Sequence, residues 1–239
     1  MCYNYSAYSK ADERRRKDII AKGGLDDLDF HPHFYHTNGF NKNKLPIITQ
    51  ESPDVVQYFR WGDWLPGDDF NCLNARAETI FTSPAFRNEI RNNRCLIEAD
   101  AFFDWRTLNG KKFPYCIKVT DEKGNDRPFF FGGIYRTRID KETGEVHQGF
   151  SMITVPANEI MAVIHNLKQR MPLILTDEQA VRWLQSELTT NQIAAMLQPY
   201  PSKNMRAYTI SKLITSRKES SNVPEVLAPF QYPGVEAQL

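Results

Sequence analysis

The residue with the most chemistry to offer is Cys2. Initiator methionine is removed when the next residue is small, cysteine included, so a mature chain can carry a free α-amine and a thiol on one residue. The amine, with an ordinary pKa of about 7.7 to 8.0, has a neutral fraction near pH 7 that condenses with an aldehyde to a Schiff base. The thiol, ordinarily near about 8.5, then adds to the same carbon and closes a five-membered ring. No internal cysteine can do this, because its nitrogen is an amide. A retained Met1 would block the amine, and taken alone an incidental cysteine at this position is the competing explanation.

The other chemistry-bearing patterns are thinner. His31, His33 and His36 in His-Pro-His-Phe-Tyr-His can ligate a metal, but no cysteine or carboxylate pattern completes a site, and a surface loop is the plainer reading. There is no Gly-x-x-x-x-Gly-Lys-Ser/Thr, His-Glu-x-x-His, Gly-x-Ser-x-Gly or strand-linked Gly-x-Gly-x-x-Gly, so neither cofactor nor metal is expected. Cys72, Cys95 and Cys116 lack Cys-x-x-Cys spacing and read as reduced, buried and inert thiols.

The elements that must position this chemistry are of mixed type. Val55–Trp61, Cys95–Trp105, Phe113–Val119, Pro128–Thr137 and Gly149–Val155 are aromatic and β-branched runs separated by turn clusters. Helices are expected over Ser9–Lys22, Asn158–His165, Asp177–Ser186 capped by Thr176, and Thr190–Leu197, with a last strand at Met205–Ile210. Arg14–Lys17 lies in the first helix and reads as a solvated face. Turn-joined strands favour antiparallel pairing, hence an α+β fold: a mixed, largely antiparallel, barrel-like sheet with peripheral helices.

Composition sets the outer bounds. The 239 residues are 41% hydrophobic and 25% charged, which excludes coiled coil, collagen and wholesale disorder. No stretch reaches the ~18 apolar residues of a membrane helix, no signal peptide is visible, and a cytoplasmic protein, nucleoid-associated if bacterial, is expected. Thirty basic against 29 acidic residues leave a net charge of +1, too little to draw the chain onto nucleic acid by bulk field. One domain over 1–239 is expected, with a core of about 2–224 and a polar tail at 225–239.

Taken in order, Cys2, Trp61-Gly-Asp-Trp-Leu-Pro66, Asn74-Ala-Arg-Ala-Glu78, Arg94-Cys-Leu-Ile-Glu-Ala-Asp-Ala-Phe-Phe-Asp-Trp105, and His165 followed by Arg170-Met-Pro-Leu-Ile-Leu175 resemble the SRAP family of abasic-site processing proteins. The resemblance implies a groove for single-stranded DNA and an N-terminal cysteine that captures the ring-opened aldehyde of an abasic site as a thiazolidine crosslink. It implies lyase-like Schiff-base chemistry, a monomer, and no membrane or small-molecule cofactor. Two other activities stay open: a thiol peptidase limited to removing Met1, and a non-covalent reader of damaged DNA in which Cys2 is irrelevant.

The same resemblance assigns roles residue by residue. Cys2 is the nucleophile; Asn74 holds the amine toward the sugar, unless it is a turn asparagine; Arg76 and Arg170 hold phosphates, with Lys168 more loosely. Glu78 is read as an ion-pair partner. Asp104 stands where the family usually has glutamate and would protonate the sugar ring oxygen, one methylene short. His165 would exchange protons near the aldehyde, or simply pack at a helix end; it stands five residues before Arg170, where many relatives have two. Trp64, Phe40 and Trp105 can stack on bases, with core packing the alternative for each. Lys212, Arg217 and Lys218 extend the basic surface or are ordinary surface charges.

Overall fold

The computed structural model describes residues 3–7, 34–62 and 72–239. Cys2, His31, His33, Trp64 and the helix expected over residues 9–22, with its Arg14–Lys17 run, lie outside the described residues. In chain order the strands are β1 (Asn4–Ala7), β2 (Phe34–Asn38), β3 (Lys44–Thr49), β4 (Val56–Trp61), β5 (Asn74–Arg76), β6 (Arg94–Ala99) and β7 (Ala101–Leu108). They continue as β8 (Lys111–Thr120), β9 (Asp126–Arg127), β10 (Phe129–Ile139), β11 (Val146–Pro156), β12 (Arg170–Pro172), β13 (Ile174–Leu175) and β14 (Met205–Thr209). The helices are α1 (Glu89–Asn92), α2 (Glu159–Ile164), α3 (Asp177–Trp183) and α4 (Thr190–Met196).

Five strands close into a barrel. β3 pairs with β4 and β6, β6 with β10, β10 with β11, and β11 returns to β4. The closing contact is parallel, Gly149 opposite Arg60 and Phe150 opposite Trp61, and β5 also runs parallel to β11. These two pairings make the largely antiparallel sheet a mixed one, as expected, and the strands they join are not hairpin neighbours. Inside the barrel there is little room: a Cβ on Gly133 would lie 2.7 Å from Ile97 Cδ1 and 3.0 Å from Ser151 O.

The second sheet has the order β14-β8-β7-β1-β2, with β9 beside β8. The single strand expected over 95–105 is two. β6 belongs to the barrel and β7 to the second sheet, and the chain changes sheets at Asp100, whose N–H donates to Ser6 O at 2.9 Å. Successive side chains of a strand face opposite sides. Phe102 accordingly packs with Tyr5, Phe131 and Trp61 in the core against the barrel, whereas Ala101, Phe103 and Trp105 face a smaller cluster with Tyr208, Ile210, Ile214 and Val226.

The helices are where the caps put them. Thr176 with Gln179, and Thr189 with Gln192, form capping boxes at α3 and α4, and Asn158 Oδ1 accepts from Met161 N to start α2. Arg94 is wholly buried, and its guanidinium donates to the carbonyls of Trp183, Ile90, Arg91 and Gln185 at 2.5–3.0 Å, tying α1 and the end of α3 to β6. Burial lowers its pKa to about 10, so it stays charged at neutral pH.

Two expectations are corrected. His36 is not in a surface loop: it is a buried residue of β2, with Nε2 2.9 Å from Asn4 Oδ1 and Nδ1 2.7 Å from Ser221 Oγ. The segment after 224, expected as a polar tail, is more than half apolar and is docked, because β14 has an open edge to cover. Ala207 exchanges hydrogen bonds with Leu239 at 3.0 and 2.9 Å, Thr209 N donates to Ala237 O at 2.9 Å, and Val226 is buried. Cys72, Cys95 and Cys116 are buried, and burial raises the thiol pKa of Cys95 and of Cys116, the latter to about 11. Among the described residues no helix is long and apolar enough to cross a membrane, and no metal-binding group of His, Cys, Asp or Glu is present.

Candidate functional site

The site grows from the edge of β7. Along that edge β1 pairs antiparallel, Tyr5 opposite Phe102 and Ser6 opposite Ala101. Further on, the side chain of Asn166 takes the place of a strand, accepting from Thr107 N at 3.1 Å and donating to Thr107 O at 2.8 Å. Asp104 and Trp105 lie between these two covers. The Trp105 amide donates to Asp104 Oδ1 at 2.9 Å.

Asp104 is buried, on the same face of β7 as Phe102. Among the described residues its Oδ2 makes no hydrogen bond, and it lies 3.6 Å from His165 Nδ1. Loss of solvent pushes the carboxyl pKa up, against the pull of His165, the Trp105 amide and Lys112. Burial is the larger effect, so this carboxyl keeps its proton to higher pH than an exposed aspartate.

His165 comes to Asp104 from the end of α2, whose C-cap it forms. Its Nδ1 is 2.9 Å from the carbonyl of Arg170. A carbonyl only accepts, so Nδ1 carries the proton and Nε2 is the nitrogen that takes one up. The five-residue spacing from His165 to Arg170 is taken up by a tight turn: Gln169 N donates to His165 O at 2.8 Å, Ala157 N to Gln169 O at 3.0 Å, and Gln169 has φ 46°.

Arg170 fixes the far side of that turn. Its guanidinium reaches across β11 to Glu78 in a two-pronged ion pair, 2.6 and 3.0 Å, and also donates to Thr154 O at 2.6 Å. The hydrogen bond from Arg170 holds the Glu78 carboxyl below its usual range. The ion-pair role read for Glu78 therefore has a partner 92 residues away, and the phosphate role read for Arg170 would have to share donors with it.

The remaining candidates are placed as follows. Asn74 is half-buried at the start of β5, level with Met152, and Arg76 is exposed, level with Thr154, the residue Arg170 grips. Lys168 is exposed in the turn. Phe40 is 57% exposed, with its ring 4.9 Å from that of Tyr3, and Gly39 N donates to Tyr3 O at 2.9 Å, so Phe40 flanks the start of β1. Trp105 is half-buried against the second cluster. Lys212, Arg217 and Lys218 are exposed. The structure thus joins Asp104, His165 and Arg170 in one chain of contacts, with Asn74 and Arg76 one strand away. Sequence reasoning missed Asn166 and Thr154; an asparagine after a helix-terminal histidine was the only available signal for the first.

What remains is a buried carboxyl and an imidazole 3.6 Å apart at the edge of a sheet, along which the strand carrying the described N-terminal residues also pairs. The arrangement can give a proton from Asp104 and take one up at His165 Nε2. A family model described as SOS response associated peptidase (SRAP) matches residues 1–217. Abasic site processing protein YoqW of Bacillus subtilis is 33% identical over 238 residues, covering 95% of this chain and 99% of the relative. Abasic site processing protein HMCES of Gallus gallus is 27% identical over 205 residues, covering 75% of this chain and 59% of the relative. A crystal structure of a Bacteroides thetaiotaomicron protein superposes with a TM-score of 0.81 at 35% identity, covering 95% and 98% of the two chains.

Proposed function

This chain belongs to the SRAP family, and from that premise we propose that it captures abasic sites in single-stranded DNA covalently, through the amine and thiol of Cys2 after Met1 is removed. The observation that carries the reading is the register of β1 on β7. β1 runs antiparallel to β7 with Tyr5 opposite Phe102, so the first described residues of the chain lie along the same edge as Asp104, two residues further on, whose carboxyl is 3.6 Å from His165 Nδ1.

The chemistry follows from the groups there. An abasic deoxyribose is mostly a closed hemiacetal, and opening it needs a proton on the ring oxygen. Asp104, whose carboxyl burial shifts toward the protonated form, is suited to give it. The neutral α-amine adds to C1 of the aldehyde, and loss of water, assisted by the same acid, leaves a Schiff base. The Cys2 thiol gives its proton to His165 Nε2 or to solvent and its sulfur adds to C1, so that aldehyde, amine and thiol become thiazolidine and one water. Asn74 holds the amine, and Arg76, Lys168 and the donors of Arg170 not committed to Glu78 hold phosphates. Phe40, Trp64 and Trp105 offer aromatic faces to bases. The partner is then a single strand, and no cofactor is called for.

The test is an SDS-resistant adduct with an abasic oligonucleotide, weighed intact and mapped by peptide. Attachment at the N-terminus, lost in Cys2→Ala and in protein carrying extra residues before Cys2, is the expected result. An adduct on an internal lysine would overturn the mechanism.

A further inference from the structure

The turn from His165 to Arg170 does more than span a gap. It is fixed at both ends, by the two hydrogen bonds of Asn166 to Thr107 and by those of Gln169 and Ala157, and it holds Gln169 in the left-handed region that non-glycine residues seldom enter. On this fixed turn, two residues beyond His165, stands Leu167, 70% exposed, the most exposed large hydrophobic side chain among the described residues. Lys168 follows it, also exposed. A lone surface leucine needs no explanation. An apolar side chain held in a rigid turn beside a buried acid and base does.

Resting on the reading above, we propose that Leu167 is a wedge that fills the space of the missing base. An abasic position leaves its two neighbouring bases with one unstacked face each. Apolar side chains, leucine among them, insert between base steps in other DNA-binding surfaces at the cost of unstacking them, a cost that an abasic position has already removed. Lys168 would sit at the adjoining phosphate. Leu167 therefore favours strands with a gap in the base stack over intact strands, independently of the covalent step.

The experiment separates this from the crosslink. Binding is measured by anisotropy to a single strand carrying a tetrahydrofuran site, which has the gap but no aldehyde, with purines on both sides or with further tetrahydrofuran sites as neighbours. Leu167→Ala is expected to weaken binding about fivefold on the purine-flanked strand, the lower end of base-stacking contributions, with no change on the baseless one. Leu167→Phe is expected to restore it. Equal binding by wild type and Leu167→Ala on the purine-flanked strand overturns the proposal, as does an equal loss on both strands. Unchanged melting of Leu167→Ala checks that the turn is intact. Failure of the covalent reading would show elsewhere, as no adduct with a true abasic strand.

Discussion

His36 makes the acid stability of this fold predictable. It is 9% exposed, and burial lowers its pKa from 6.5 to about 4. Nε2–H donates to Asn4 Oδ1 and Nδ1 accepts from the Ser221 hydroxyl, so the neutral ring is the form the structure holds. A histidine whose folded pKa is depressed contributes stability above its unfolded value, and loses it as pH falls toward the folded one. From those two pKa values, about 2 kcal/mol is lost by pH 5 and about 3 kcal/mol by pH 4, relative to pH 7.5. Asp104, with its raised pKa, works in the opposite direction, and carboxylates such as Glu78 lose their contribution only lower in the acid range. The comparison must therefore be between wild type and His36→Gln. Urea unfolding at pH 7.5, 6, 5 and 4 is expected to show the variant less stable at pH 7.5, with that deficit shrinking by about 3 kcal/mol at pH 4. Parallel pH profiles for the two proteins would refute the assignment of a neutral buried His36.

The site gives further expectations. Asp104→Asn removes the acid and is expected to slow adduct formation by about 10²-fold or more, measured by single-turnover gel assay, while leaving tetrahydrofuran-strand binding unchanged. In wild type the rate is expected to fall as pH rises through the raised Asp104 pKa, and that alkaline limb is expected to vanish in Asp104→Asn. Lys168→Gln is expected to flatten the salt dependence of binding, with the slope of log K against log salt smaller by about 0.7, the value for one phosphate contact on a single strand.

What the sequence made legible depended on how a segment is buried. Phe113–Val119 and Pro128–Thr137 announce themselves because β-branched and aromatic residues dominate, and β8 and β10 are there. β1 does not, because Asn4 and Ser6 are buried polar residues whose partners, such as His36 and Asn38, come from other segments. β3 hides behind Pro46, tolerated because β6 covers only Ile48 and Thr49 of that strand. The change of sheet at Asp100 is masked by the apolar runs Cys95–Ile97 before it and Ala101–Phe103 after it. In the site, Asp104 and His165 were singled out from motifs. The commitment of Arg170 to Glu78 and Thr154 was not visible, since it depends on β5, β11 and β12 lying side by side.

The parallel contact between β4 and β11 has a consequence for how the chain folds. Arg60 and Gly149 are roughly ninety residues apart, and the ring of five strands cannot close until both are present. Chains dominated by such distant pairings fold on the order of milliseconds to seconds, because loop-closure entropy is spent before the contacts repay it. On the ribosome, at roughly 5 to 20 residues per second, β4 waits about 4 to 18 s for β11. Through that interval Trp61 lacks its barrel partner Phe150, and Phe59 waits for most of it for Tyr135. Chaperone dependence and aggregation on overexpression are the expected signatures, and both are set by topology rather than by the chemistry at the edge of β7.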